Sequence, residues 1–312
     1  MQRLSGKRAL VTGASSGIGA ATAHLLAREG ADVALLARGE RGLAQVARRV
    51  HDEGASAITI AADVADRNAL GQAVEQAAER LGGLDIVVVS AAASAFGTFR
   101  EMPARDFDRC IAVAFGGAVD TIRAVLPHLE QTGGRLVVIG SAADVIPLPL
   151  LSPYVAAKHA LTGFVRVLAA ELRATNSAVT VSTIRPGAVD TPFLRHLTQP
   201  DGLRPPLIPP LVSYTADSVA RAAVACAIRP RPSVCIGGST LLLQAVSSAA
   251  RPLLDRGVQR IARYWLDHAK PERAPNALWE PSGDGSLSGG QKGRPSVYAA
   301  LRLARFRPRA GV

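Results

Sequence analysis

Short apolar runs alternate along the chain with longer stretches whose apolar positions recur every three to four residues. The short runs have the length and β-branched content of buried strands, and the longer ones have the period of amphipathic helices. The first run is Arg8-Ala9-Leu10-Val11-Thr12, followed by a helical pattern from Ile18 to Glu29. Further strands are predicted at Val33 to Ala37, Ile58 to Ala61, Asp85 to Val89, Arg135 to Ile139 and Val179 to Ile184, with Ser233 to Ile236 as a seventh. Because these runs are apolar throughout rather than alternating, they predict strands covered on both sheet faces. The expected fold is α/β: a Rossmann-type doubly wound parallel sheet of about seven strands with helices on both faces. Its ligand crevice should lie at the carboxyl ends of the strands.

Three segments follow from the change in pattern. Residues 1–240 carry the strand–helix alternation. Residues 241–270 read as a C-terminal helical extension, where Leu254, Val258, Ile261 and Trp265 recur at helical spacing among Arg256, Arg260 and Arg263. Residues 271–312 form a tail rich in Gly, Pro, Ser and Arg, and Gly283 to Pro295 is expected to be loosely ordered. The proline-rich stretch Pro192 to Pro210, directly after the sixth strand, is placed where active-site lids occur.

Composition narrows the class. A hydrophobic content of 48% is ample for a sizeable core and excludes disorder of the whole chain. There is no uninterrupted apolar run of about 18 residues and no signal-peptide core before the first strand. Cys110, Cys226 and Cys235 form no CxxC pair, so neither a metal site nor a disulfide framework is expected, and a reducing, cytoplasmic setting fits. The net charge is +11, and Arg251 to Val312 holds twelve Lys and Arg against five Asp and Glu. A solvated basic tail is the simpler reading; contact with an anionic membrane surface is the lesser one. No aromatic interleaving or nucleic-acid motif accompanies the charge, so no nucleic-acid partner is expected.

The candidate chemistry falls at strand ends. Thr12-Gly13-Ala14-Ser15-Ser16-Gly17-Ile18-Gly19 follows the first strand. Gly13 permits a tight turn, while Gly17 and Gly19 let backbone and helix N-terminus approach a pyrophosphate, with Ser15, Ser16 and Ile18 alongside. The second strand ends Leu36-Ala37-Arg38. With no carboxylate to chelate ribose hydroxyls and a guanidinium suited to phosphate, NADP(H) is favoured over NAD(H). Asp63, followed by Val64, is placed to accept from the adenine amino group or simply to cap a helix. Ser141 ends the fifth strand, and Tyr154 and Lys158 lie one helical turn apart. A free phenol, with a pKa of about 10, is a poor base near neutrality, and a neighbouring ammonium favours its ionised form.

The glycine loop, Ser141, Tyr154-xxx-Lys158 and Arg185-Pro186-Gly187-Ala188-Val189-Asp190-Thr191 agree in order and spacing, and together resemble the short-chain dehydrogenase/reductase family over roughly residues 5–240. The resemblance implies an oxidoreductase acting between a nicotinamide and a carbonyl or secondary alcohol. Tyr154 would be the general acid/base, Ser141 would orient the substrate oxygen, and Lys158 would also bind the nicotinamide ribose. Ala91, Pro186, Gly187, Val189 and Thr191 would complete the cofactor contacts, with Thr191 reaching the carboxamide. It also implies a homodimer or homotetramer, through helices near residues 110–127 and 154–174.

Two stretches depart from the family pattern. Val89-Ser90-Ala91-Ala92 replaces its Asn-Asn-Ala-Gly sequence, and Ala114 replaces the asparagine that completes a catalytic tetrad. The chain therefore either uses another water path for proton return or has become a nucleotide-binding regulatory or interaction subunit with impaired catalysis. The nucleotide-sugar epimerases share Tyr-xxx-Lys but carry a different glycine spacing. The residues expected around the substrate are apolar: Ala95, Phe96, Val145 to Leu151, Phe193 and Leu194. They favour a lipophilic ketone or secondary alcohol. His196 is expected on an exposed loop.

Overall fold

The computed structural model of the chain describes residues 2–197, 203–204, 213–237, 251–268, 270–271 and 276–290. Seven strands form one sheet: β1 (Arg8–Thr12), β2 (Asp32–Ala37), β3 (Ala57–Ala61), β4 (Ile86–Val89), β5 (Arg135–Ile139), β6 (Thr180–Pro186) and β7 (Ser233–Ile236). Their spatial order is β7-β6-β5-β4-β1-β2-β3, and every pairing is parallel. The order reverses between β1 and β4, which opens a crevice at their carboxyl ends.

Both faces are covered, as continuous apolar strands require. Helices α1 (Gly17–Arg28), α2 (Glu40–Asp52) and α7 (Ala216–Ile228) share one core with one face of the sheet. Helices α3 (Arg67–Leu81), α5 (Gly117–Thr132) and α6 (Ser152–Ala174) share the other. The inward residues Leu10, Leu35, Leu36, Ile86, Leu136 and Ile184 are all but fully buried, each stabilising by roughly 1.5–3 kcal/mol relative to exposure. The buried faces of α1 and α7 are rich in alanine, so the two helices approach closely.

Strand ends follow pairing rather than composition. The expected sixth strand stops at Ile184, but β6 continues to Pro186 because β7 pairs with Thr183 to Pro186. Helix α4 (Ala104–Ile111) runs into α5 through a π-helical turn at Ala112–Gly116. This continuous run passes a length-and-composition test for a membrane span. Its apolarity is accounted for by the face that packs on the sheet, through Val113, Ala118, Ile122, Val125 and Leu129.

In the C-terminal region, helix α8 (Arg251–His268) falls within the extension predicted to be helical; residues 241–250 lie outside the described residues. The expectation of a loose stretch at Gly283 to Pro295 is corrected for residues 283–290. Their low complexity conceals a set of specific backbone contacts to the glycine loop and to Asp190. Residues 291–295 lie outside the described residues.

Candidate active site

The end of β1 is held against the end of β4 by the Thr12 hydroxyl, which accepts from the amides of Ser90 (3.1 Å) and Ala91 (3.4 Å). The sheet is thus braced here without the asparagines of the family pattern. Gly13 turns the chain out of β1 with φ +68°, and a Cβ on it would sit 2.8 Å from the Ala91 backbone. No other residue fits that approach. At Gly19 an added Cβ would collide with the Gly13 carbonyl. Ser16 precedes α1 without capping it through its side chain, and the first amide of the helix, Gly17 N, donates to the Ser286 carbonyl at 2.8 Å. Ser15 to Gly19, Val64, Ala91, Pro186, Gly187, Val189 and Thr191 all line one cavity of about 910 Å³. That is at the upper end of the range for ligand sites. The cradle fits a nicotinamide dinucleotide.

At the end of the crevice beside β2 and β3, Arg38 and Asp63 line the same cavity, and both are engaged. Asp63 does not cap α3; that is done by Asp66, which accepts from the amides of Asn68 and Ala69. The Asp63 carboxylate accepts instead from Ala65 N at 3.0 Å and pairs with Arg109 of α4. The Arg38 guanidinium donates to the carbonyls of Ala277 (2.5 Å), Leu278 (3.0 Å) and Glu280 (3.1 Å). Burial lowers its pKa from the usual arginine value.

At the opposite end, Ser141 closes β5, and Tyr154 and Lys158 project from the first two turns of α6, all into the same cavity. Ser141 accepts from Ala143 N at 3.1 Å, capping a short 3-10 turn, and also interacts with the Tyr154 phenol. The Lys158 ammonium is buried; it lies 5.6 Å from the centre of the Tyr154 ring and donates to the Ile139 carbonyl at 2.8 Å. The expectation of an acidified phenol is corrected by the surroundings of Tyr154. Burial raises the pKa of Tyr154, the interaction with Ser141 opposes the rise, and the negative charge of Asp144 adds to it. Lys158 is in turn pushed down to about 8 by burial, partly offset by Asp144. Desolvation outweighs pairing because both groups sit under the substrate loops.

Apolar groups surround this end. Phe96, Leu151 and Leu197 form a buried cluster with Leu148, Phe193 and Trp265. The Tyr154 and Phe193 rings lie 5.2 Å apart, and those of Phe96 and Trp265 5.8 Å apart. Leu150 adopts φ +61°, costly for a branched side chain, and its carbonyl accepts from Gly97 N at 3.0 Å, tying the two substrate loops together. His196, expected to be exposed, is half-buried and lines the cavity, and burial lowers its pKa. Ala114 is fully buried within the π-helical turn.

Three contributors escaped the sequence reading. Asp144 and Arg185 form a buried pair at 2.6 Å, and Asp144 also accepts from Thr162 Oγ1 at 2.8 Å. Helix α8 supplies Leu254, Val258 and Trp265 to the substrate end; its helical period was visible, but its docking place was not. Residues 277 and 281–283 line the adenosine end, with no sequence signal beyond a run of small residues.

Comparison with known proteins agrees with this geometry. A family model described as short chain dehydrogenase matches residues 7–202. An uncharacterized oxidoreductase, YxnA, of Bacillus subtilis is 30% identical over 282 residues, covering 88% of this chain and 77% of the relative. A D-beta-hydroxybutyrate dehydrogenase of Rhizobium meliloti is 36% identical over 194 residues, covering 60% of this chain and 73% of that enzyme. Among solved structures, an alcohol dehydrogenase from the archaeon Thermococcus sibiricus, complexed with 5-hydroxy-NADP, superposes with a TM-score of 0.62 at 28% identity. That match covers 74% of this chain and 95% of the other. With the family match spanning more than half of the sequence, and glycine loop, serine, tyrosine and lysine lining one crevice, the chain belongs to the short-chain dehydrogenase family.

Proposed function

We propose that the protein moves a hydride between NADP(H) and the carbonyl or secondary alcohol carbon of a lipophilic substrate, with Tyr154 as general acid/base. The observation that carries this reading is the shared cavity: Ser141, Tyr154 and Lys158 open onto the same space as the glycine loop. A bound nicotinamide supplies or accepts the hydride. In the reducing direction the Tyr154 hydroxyl donates its proton to the substrate oxygen, while Ser141 orients that oxygen. Burial keeps the Tyr154 phenol protonated near neutrality, so the proton to be donated is in place, and the positive charge of Lys158 eases its release. The reverse direction needs the phenolate, which a protonated Lys158 stabilises electrostatically. The apolar wall of Phe96, Leu148, Leu151, Phe193, Leu197 and Trp265 favours a lipophilic substrate and keeps water from the reacting atoms. NADP(H) is favoured because β2 ends without a carboxylate and Arg38 stands at the adenosine end. A homo-oligomer formed through the outer face of α6 belongs to the same reading, supported by Val167, which is more than half exposed there.

The test is turnover of NADPH and of NADH by the purified protein across a panel of lipophilic ketones, compared with Tyr154→Phe. Tyr154-dependent oxidation of NADPH supports the reading. Nucleotide binding without Tyr154-dependent turnover in either direction would overturn it. The protein would then be a binding subunit, the reading favoured by Ala114 at the tetrad position.

A further inference from the structure

Residues 276–290 run along the whole cofactor crevice. At the adenosine end three consecutive-turn carbonyls, those of Ala277, Leu278 and Glu280, converge on the Arg38 guanidinium. Three oxygens around one guanidinium is the arrangement a phosphate would present. Farther along, the Ser286 carbonyl accepts from Gly17 N at 2.8 Å, the first amide of α1, and Gly285 N donates to the Ser15 carbonyl at 2.9 Å. At the nicotinamide end Gly289 N donates to Asp190 Oδ1 at 2.8 Å. The two groups best suited to bind nucleotide phosphates are therefore both capped by carbonyls of one segment.

The docking is specific. Trp279 donates from Nε1 to Asp106 at 2.8 Å and lies 5.4 Å from the Arg109 guanidinium carbon. Arg109 Nε also donates to the Leu278 carbonyl at 3.2 Å. Leu278 is fully buried against Ala95, Met102 and Cys110. Gly283 sits where any Cβ would strike Ser15.

From this we infer that residues 276–290 are an internal competitor for the cofactor: a strap whose carbonyls occupy the phosphate-binding groups and which NADP(H) must displace from Arg38. The inference rests on the NADP(H) reading above for its nucleotide, but its test separates the two. Displacement frees Arg38 for a 2′-phosphate and Gly17 N for the pyrophosphate; NAD(H), without the 2′-phosphate, has only the second of these with which to compete. If the strap is closed in about nine molecules of ten, it weakens apparent affinity about tenfold.

The experiment uses the full chain, with NADP+ and NAD+ as probes. Backbone hydrogen exchange across residues 276–290 is followed with and without each nucleotide, and dissociation constants are measured by calorimetry for the wild type, Trp279→Ala and Leu278→Glu. The expected result is faster exchange in the strap on adding NADP+, with a smaller effect of NAD+. Both variants should bind NADP+ about tenfold more tightly. Leu278→Glu places a charge in a buried cluster and is the variant at risk of misfolding; Trp279 is partly exposed, and the wild-type exchange measurement needs no variant. Slower strap exchange with NADP+, or weaker binding in Trp279→Ala, would show a supporting wall and overturn the inference. If loosening the strap tightens both nucleotides while NAD+ remains the better ligand, the strap stands and the NADP(H) preference falls.

Discussion

The two ends of the crevice are built in different ways. At the nicotinamide end Ser141, Tyr154 and Lys158 fall within eighteen consecutive residues and are placed by β5 and α6, elements buried in the core. At the other end Arg38 meets residues 277–280, some 240 positions away, through side chain-to-backbone hydrogen bonds, beside a small separate cluster in which Leu278 is buried against Ala95, Met102 and Cys110. The difference teaches that the reacting groups are positioned by the sheet, whose geometry is costly to change. The far end is lined instead by a late segment, anchored by Leu278 and Trp279 and joined to Arg38 by hydrogen bonds.

The largest effect that would sharpen this contrast is expected at Tyr154. Tyr154→Phe should lower kcat by about 10²–10⁴-fold with nucleotide affinity little changed, the size of a lost general acid; steady-state kinetics beside calorimetry checks it. Next comes the scaffold under the catalytic end. Arg185→Met leaves the fully enclosed Asp144 carboxylate unpaired and should cost about 3–5 kcal/mol in denaturant unfolding. Asp144→Asn combined with Arg185→Met should recover part of that loss. If the single variant unfolds like the wild type, the catalytic end does not depend on this pair.

At the adenosine end Arg38→Gln should weaken NADP+ by about tenfold, since a charge-assisted contact to phosphate is worth about 1.5–3 kcal/mol and part is offset by the strap bonds also lost. NAD+, which loses no contact, should bind slightly more tightly. Equal effects on the two nucleotides would remove Arg38 from cofactor selection. The smallest effect concerns pH. Lys158 in the free protein loses its proton as pH rises through about 8. Binding that needs the ammonium must then take up a proton, so the dissociation constant should rise above pH 8, by at most about tenfold per unit. Lys158→Met should bind more weakly at neutral pH and show no such slope.

Much of this was legible in the sequence. Every sheet strand was visible as an apolar run bounded by turn residues, because strands buried on both faces admit little else. The glycine loop was legible because Gly13 and Gly19 sit where any side chain would collide with backbone, a constraint local to two turns. Ser141, Tyr154 and Lys158 were marked out by four motifs agreeing in order and spacing with the family's, since a strand-end serine or a Tyr-xxx-Lys pair alone is commonplace. The buried Asp144–Arg185 pair was not, since nothing in either residue's neighbourhood announces a partner forty-one positions away. Nor was the acidity of Tyr154, where spacing alone predicted a favoured phenolate. Enclosure by the loops from β4, β5 and β6 and by α8 reverses the direction, and enclosure is a property of the assembled fold.

From local steric rules acting over a few residues come the sheet and the glycine turn, while Ser141, Tyr154 and Lys158 stand out only as part of a set of motifs resembling the family's. Only the tertiary structure decided what surrounds them: the protonation tendencies, the apolar substrate wall and the segment lying over Arg38. These depend on which distant surfaces exclude water together, and a low-complexity run such as Pro281 to Gly290 carries no periodicity from which its docking place could be read.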